Sequence, residues 1–329
     1  MSAASPSQLT LSAVVPATDA PATLSRVRAA IESATELPEE LLIVDRPREA
    51  GAAEARNIGA RRARGDVLVF VDADVEVHPD VFARIRAAFE IDPRLAAVFG
   101  SYDDSPAAPG VVSGFRNLLH HYVHQQSGGD ATTFWAGLGA IRRDVFVAVG
   151  GFDERMDRDW ISLFRRSSVE DIELGMRLAA AGWRIVLDPS IQGRHLKAWN
   201  LRSSVATDLF GRGVPWVVLL LRSRSSTTAL NLGWKHRLSA ATAFTLAVAV
   251  AGRRPRLAVA AAGSLVALNR PFYTLLLRRR GPLEAAAGVG LHTLHHLTGV
   301  AAVPLGIAAH LFEQCRPQAF KQAGAKQRR

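Results

Sequence analysis

The chain has 329 residues, 48% hydrophobic and 21% charged, which excludes global disorder and gives room for a full α/β domain plus something smaller. A single cysteine, Cys315, excludes an intrachain disulfide and a cysteine-based metal cluster. The net charge of +10 is uneven: residues 201–329 hold 18 Lys and Arg against 3 Asp and Glu, a balance of +15, which leaves residues 1–200 at −5.

The opening "MSAASPSQLTLS" has no basic start and no long apolar core, so no secretory signal is expected and the sheet domain is placed in the cytoplasm. Residues 10–15 predict a first strand ending at Pro16, and residues 22–34 a helix. "ELLIVD" (40–45) predicts a second strand with Asp45 at its carboxyl end. Residues 50–66 predict a helix with small and apolar residues on one face and arginines on the other. "VLVFV" (67–71) is short, apolar and β-branched, as a strand buried on both faces requires. A helix over 78–93 and a strand over 95–102 follow. This alternation predicts a parallel sheet with crossover helices, and ligands at the carboxyl ends of its strands.

Residues 103–134 predict a long loop with one helix. Residues 134–152 carry paired glycines, a helix, then Gly150-Gly151. Residues 167–189 predict a helix followed by a strand, with capping-box spacing at Ser168 and Asp171 and a helix-ending glycine at Gly182. After Trp234 the character changes. Apolar runs at 238–251, 257–277 and 283–312 are divided by "RRPR" (253–256) and "RRR" (278–280). Each run is short or interrupted for an ordinary span of about 20 residues, so in-plane or re-entrant helices remain alternatives. Basic clusters between apolar runs suit an anionic membrane surface, and no nucleic-acid motif is present. A soluble helical subdomain is the alternative.

The strand "VLVFV" runs straight into Asp72-Ala73-Asp74. If the extended geometry persists, both carboxylates point the same way and repel. Mg²⁺ or Mn²⁺ would hold them together, because a hard cation prefers carboxylate oxygen and commonly takes one or two acids plus phosphate oxygens. A polar turn after a strand is the plainer reading of an isolated D-x-D.

The motifs together resemble family 2 glycosyltransferases, the inverting, nucleotide-sugar-dependent enzymes of the GT-A fold. The residues that carry the resemblance are "VVPATDAP" (14–21), "LLIVD" (41–45), "GAAEARNIGARRARGDVLVFVDAD" (51–74), "FWAGLGAIRRDVFVAVGGFDE" (134–154), "SSVEDIELGMRLAAAGWRI" (167–185) and "HLKAWNLRS" (195–203). The resemblance implies a Rossmann-like, mostly parallel sheet in a catalytic domain over 1–222. A basic, apolar, membrane-associating helical region over 223–329 follows, with the catalytic domain on the cytoplasmic side.

By the same resemblance, Asp72 and Asp74 are the D-x-D motif, and Asp74 is the direct ligand of Mg²⁺ or Mn²⁺. Pro16 and Asp45 lie at the base and ribose of the donor, a nucleotide-sugar and most simply a UDP-sugar. Arg56 supports the acids or the nucleotide, unless it sits on a solvated helix face. Glu170 and Asp171 resemble the x-E-D motif. A sugar hydroxyl is a weak nucleophile, so a carboxylate must take its proton as it attacks; Asp171 is assigned that role, with helix capping as the alternative. His195 is a third metal ligand or a donor to diphosphate, and Lys197 offsets phosphate charge. Trp199 stacks on a sugar or closes the site. Trp135, Gly137 and Gly139 resemble the loop beneath a hydroxyl acceptor, lipid-linked or a cell-envelope glycan.

"RPREAG" (46–51) replaces the family's acidic, Ser-rich stretch, and "HLKAW" stands where processive members carry Q-x-x-R-W. A single transfer is therefore expected rather than polymerisation. Two other readings compete: a sugar-phosphate nucleotidyltransferase, which would want a Gly-rich basic loop where "PATDAPATL" (16–24) stands, and a non-catalytic membrane scaffold.

Overall fold

A computed structural model describes residues 8–48, 50–158, 169–223 and 233–315. One sheet organises the N-terminal two-thirds. Its strands are β1 (Leu11–Pro16), β2 (Glu40–Val44), β3 (Val67–Val71), β4 (Val75–Val77), β5 (Leu95–Tyr102), β6 (Gly129–Ala131), β7 (Leu138–Arg142) and β8 (Arg184–His195). The order is β2-β1-β3-β7-β5-β8-β4, with β6 also paired to β8. β1 pairs in parallel with β2 and β3, and β5 with β8. β7 enters between β3 and β5 antiparallel to both, so the sheet is mixed.

The central strands read as continuous apolar runs because both faces are covered. All five residues of β3 and all eight of β5 are buried. On one face Val69, Val71, Phe82, Ile85 and Phe89 pack together; on the other Leu68, Phe70, Phe99, Phe134 and Phe146 do. The covering helices include α1 (Leu24–Glu32), α2 (Ala52–Arg62), α3 (Val81–Ile91), α5 (Arg143–Ala148) and α7 (Glu170–Ala180); α4 (Val111–Gln125) packs against β5, and the short α6 (Arg155–Arg158) lies beside α2. α7 ends as its glycine predicts: Gly182 has φ +80° and the Trp183 amide donates to the Leu178 carbonyl.

The chain does not stay extended past β3. The Val75 amide donates to the Asp72 carbonyl, closing a turn before β4. Asp72 and Asp74 therefore face different neighbours rather than standing as two residues of one strand.

Beyond β8, α8 (Leu201–Ala206), a π-helix (Thr207–Gly213) and α9 (Val214–Ser223) run on continuously, followed by α10 (Trp234–Ala251), α11 (Pro255–Leu268) and α12 (Arg270–Cys315). α12 breaks at Gly281, where φ is +80°. Phe115, Leu118 and Leu119 of α4 pack on Phe272, Tyr273 and Leu276 of α12, so the C-terminal helices share a core with the sheet domain. Among the described residues, Leu201–Ser223 and Arg270–Cys315 are long and apolar enough to cross a membrane by length and composition. The first of these lies almost wholly before residue 223, where the membrane-associating region was expected to begin.

Candidate active site

The site lies at the carboxyl ends of β1, β2, β3 and β8. Register brings the first three ends level: Pro16 pairs with Val44, the residue before Asp45, and Val14 pairs with Phe70, two residues before Asp72. Asp45 is exposed, as a group that meets a ligand from solvent must be.

Arg56 is not on a solvated face. It is 4% exposed, and its guanidinium donates to Asp72 Oδ1 at 2.7 Å and Glu170 Oε1 at 2.8 Å. Burial opposes its charge, but the carboxylates of Asp72, Glu170 and Asp171 outweigh burial and keep it protonated. This one cation therefore ties together α2, the end of β3 and the start of α7. Burial lifts the Asp72 carboxyl above its ordinary value; Arg56 opposes the lift and Asp74 adds to it.

Asp74 faces His195. Val75 pairs with His195 across β4 and β8, the Leu196 amide donates to the Asp74 carbonyl, and His195 Nε2 lies 3.7 Å from Asp74 Oδ2. That gap is too long for a hydrogen bond. Burial works against ionisation of Asp74, but His195 and Lys197 outweigh it and hold the carboxyl below its ordinary range. Among the described residues no three His, Cys, Asp or Glu form a ready-made metal cluster. An acid oxygen and an imidazole nitrogen this close still fit one small cation, since two neighbouring ligands at about 2.1 Å lie roughly 3 Å apart. The donor set, two protein groups with room for phosphate oxygens, suits Mn²⁺ or Mg²⁺.

Asp171 occupies the first turn of α7. Ser168, its expected capping partner, lies outside the described residues; Val169 holds the N-cap position and makes no side-chain cap. Asp171 instead accepts from the Ala136 amide at 3.2 Å and from the Ile172 amide at 2.8 Å. Burial and the neighbouring Glu170 push its carboxyl up to about 7, with Arg56 and the two amides opposing. Glu170 Oε2 is buried without a partner.

The segment Trp135-Ala136-Gly137 bridges the acids. Gly137 accepts from the Asp72 amide and Ala136 donates to Asp171. A side chain at Gly137 would meet the Trp135 ring at 2.5 Å, so the glycine lets the ring lie over it. Gly139 belongs inside β7, paired with Phe70 and Phe99, where a Cβ would collide with the Trp135 carbonyl and the Phe134 ring. It shapes the sheet beneath the loop rather than the loop itself.

Trp199 lies between two cations: Arg116 is 4.1 Å and Lys197 4.6 Å from its ring. The sequence reading missed an aromatic group behind His195. Tyr102 stacks on His195 at 4.3 Å and meets Trp135 edge-on at 4.9 Å. His120 lies 4.2 Å from Tyr102 and 3.9 Å from His124. Burial keeps both histidines neutral: it drives His120 well down and His124 to about 4. The one signal in the sequence is the spacing of His120, His121 and His124 on a single helix, which alone does not separate a site wall from a core.

A mixed sheet with acids and a buried arginine at its carboxyl edge defines an α/β protein of the GT-A type. The fold agrees with the mannosyltransferase of Pyrobaculum calidifontis solved with GDP-Man and Mn²⁺, at TM-score 0.52 and 18% identity over 86% of this chain and 87% of that one. Residues 14–150 match the family model for glycosyl transferase family 2. A Mycobacterium tuberculosis protein named N-acetylglucosaminyl-diphospho-decaprenol L-rhamnosyltransferase is 34% identical over 116 residues, 35% of either chain. An uncharacterized glycosyltransferase of Haemophilus influenzae is 26% identical over 138 residues, 39% of this chain and 43% of its own. The chain thus spans less than half the length of these relatives.

Proposed function

We propose that the chain is an inverting, metal-dependent glycosyltransferase that moves one sugar from a nucleotide-sugar, most simply a UDP-sugar, to a hydroxyl of a lipid-linked acceptor. Residues 1–222 carry the chemistry and residues 223–329 hold the protein at the cytoplasmic face of a membrane.

Pro16 and Asp45 take the base and ribose, with Asp45 accepting from a ring N–H. Asp74 and His195 would hold Mn²⁺ or Mg²⁺, which when bound supplies positive charge to the leaving diphosphate. Asp72 is oriented toward the donor by Arg56, and Lys197 adds charge against phosphate. Asp171 takes the acceptor hydroxyl proton as that oxygen attacks the anomeric carbon from the side opposite the diphosphate. Glu170 holds Arg56 and, through its charge, keeps Asp171 basic. Trp135, over Gly137, and Trp199 flank the acceptor.

The observation that carries this reading is geometric: buried Arg56 holds Asp72 at 2.7 Å and Glu170 at 2.8 Å, next to Asp171, whose carboxyl burial and Glu170 push up to about 7. A general base works best when its pKa lies near the working pH, and a plain cap gains nothing from such a shift. The name of the Mycobacterium tuberculosis relative supports transfer onto a diphospho-lipid, and the basic, apolar tail supports an acceptor met at a membrane. Purified protein incubated with UDP-sugars and Mn²⁺ tests the proposal: UDP release that EDTA abolishes is expected. Pyrophosphate instead of UDP would favour nucleotidyl transfer, and no turnover with any donor would favour a scaffold.

A further inference from the structure

Besides the two segments long and apolar enough to cross a membrane, the chain exposes apolar surface on the hairpin formed by α10 and α11, which pack on each other along a seam; Ala243, Ala249, Ala261 and Leu265 are the buried apolar residues of the two helices. Outside this seam the apolar side chains face outward; Val248 is 52% exposed and Val259 74%. Between Arg237 and Arg270 the only charged residues are Arg253, Arg254 and Arg256, all exposed at the hairpin tip. The pair also packs on α12, mainly through α10, but its outward apolar face stays exposed, and an apolar surface of this extent needs an occupant.

The polar groups on the hairpin say which one. Thr242 donates to the Leu238 carbonyl at 2.8 Å, Thr245 to Ala241 at 2.9 Å and Ser264 to Ala260 at 2.9 Å. The buried Asn269 donates to Ser239 across the pair at 2.9 Å and to the Leu265 carbonyl at 3.0 Å. Each side-chain hydroxyl of the hairpin and the Asn269 amide nitrogen thus has a hydrogen-bond partner within the pair, as a medium without water favours. Length agrees. Arg237 to Arg253 is about 24 Å of helix and Arg256 to Arg270 about 21 Å. Arginine stems reaching outward at each end bring both runs to roughly the 30 Å of a hydrocarbon core. The base is anchored to the body of the protein, where Lys235 donates to the Tyr122 hydroxyl at 2.8 Å.

We propose that residues 234–270 cross an anionic bilayer as a helical hairpin, with Arg253, Arg254 and Arg256 at the phosphate headgroups of the far leaflet. The inference deepens the membrane part of the function proposed above and is independent of the sugar chemistry.

The test is vesicle flotation of the full chain on phosphatidylcholine with and without phosphatidylglycerol. The wild type floats, and floats better on the anionic vesicles. Val248→Asp combined with Val259→Asp lowers the bound fraction at least tenfold with an unchanged melting temperature, because both positions face outward in the folded chain. Equal flotation of this variant would overturn the proposal and move the contact to another segment. A detergent-free dimer that ignores vesicles would also overturn it and assign the hairpin to a second copy. Depth is read independently in a Cys315→Ser background carrying Arg254→Cys. An impermeant maleimide added outside sealed vesicles should leave that cysteine unlabelled until detergent opens them; labelling from outside would mean an in-plane hairpin. UDP affinity, measured on the same preparations, is expected to be equal in wild type and variants, so a failure of donor binding is separable from a failure of insertion.

Discussion

Replacing Asp171 by Asn separates a base from a cap. The amide keeps the size and can still accept from Ala136 and Ile172 through its oxygen, so the start of α7 keeps its hydrogen bonds. It cannot take a proton at neutral pH, and loss of a general base typically costs on the order of 10²–10⁴-fold in turnover. The raised carboxyl also sets the wild-type pH profile. With a value of about 7 in the fold, about a tenth of Asp171 is ionised at pH 6, so kcat/KM should fall close to tenfold per pH unit below neutrality. Stability runs the other way. The folded value lies above the ordinary 3.8, so the stability linked to Asp171 is complete below about pH 4 and is lost as pH rises to about 7. The full shift corresponds to about 4 kcal/mol; partial exposure reduces it to on the order of 1–2 kcal/mol. Asp171→Asn should therefore melt a few degrees higher than wild type at pH 8 and show a smaller difference at pH 5. The assays are pH-dependent kinetics and calorimetric melting at both pH values. Near-normal turnover, or a variant that melts lower at pH 8 with activity falling in step, would refute the reasoning and leave Asp171 as a structural residue.

Arg56→Met leaves Asp72 and Glu170 as uncompensated acids and should cost on the order of 3 kcal/mol in denaturant melts. Because Arg56 holds the Asp171 value down, any residual activity should have its acid limb displaced to higher pH. Asp74→Asn exchanges a charged ligand for a neutral, weaker one and should abolish Mn²⁺-dependent UDP binding in calorimetry; unchanged affinity would remove Asp74 from the metal shell. Gly137→Ala drives a methyl into the Trp135 ring and should cost about 1–3 kcal/mol while raising the acceptor KM more than the donor KM; equal effects on both would detach Trp135 from the acceptor.

The long-range order of the sheet was legible where one period dominated. β3 is an unbroken apolar run and β5 is apolar up to Gly100-Ser101, and the observed bounds of β5 are those the sequence predicts. β4 and β7 were not legible. "VEV" is three residues long, and "LGAIR" carries a glycine and reads as a helix approach; only pairing to β8, and to β3 and β5, makes them strands. That β7 runs antiparallel is a tertiary fact with no local signature. In the site, the acids were visible as types in sequence, but Arg56 was ambiguous because its partners lie 16 and 114 residues away. The wall of Tyr102, His120 and His124 was hidden for a similar reason: an isolated ring in a helix or strand does not announce what it stacks on.

The most direct measurement is the nucleotide product formed by the full-length protein with a panel of nucleotide-sugars and Mn²⁺. The account predicts release of a nucleoside diphosphate, abolished by EDTA and by Asp74→Asn, and lowered at least 100-fold by Asp171→Asn with donor binding retained. Release that persists undiminished in both variants, or appearance of pyrophosphate, would contradict it.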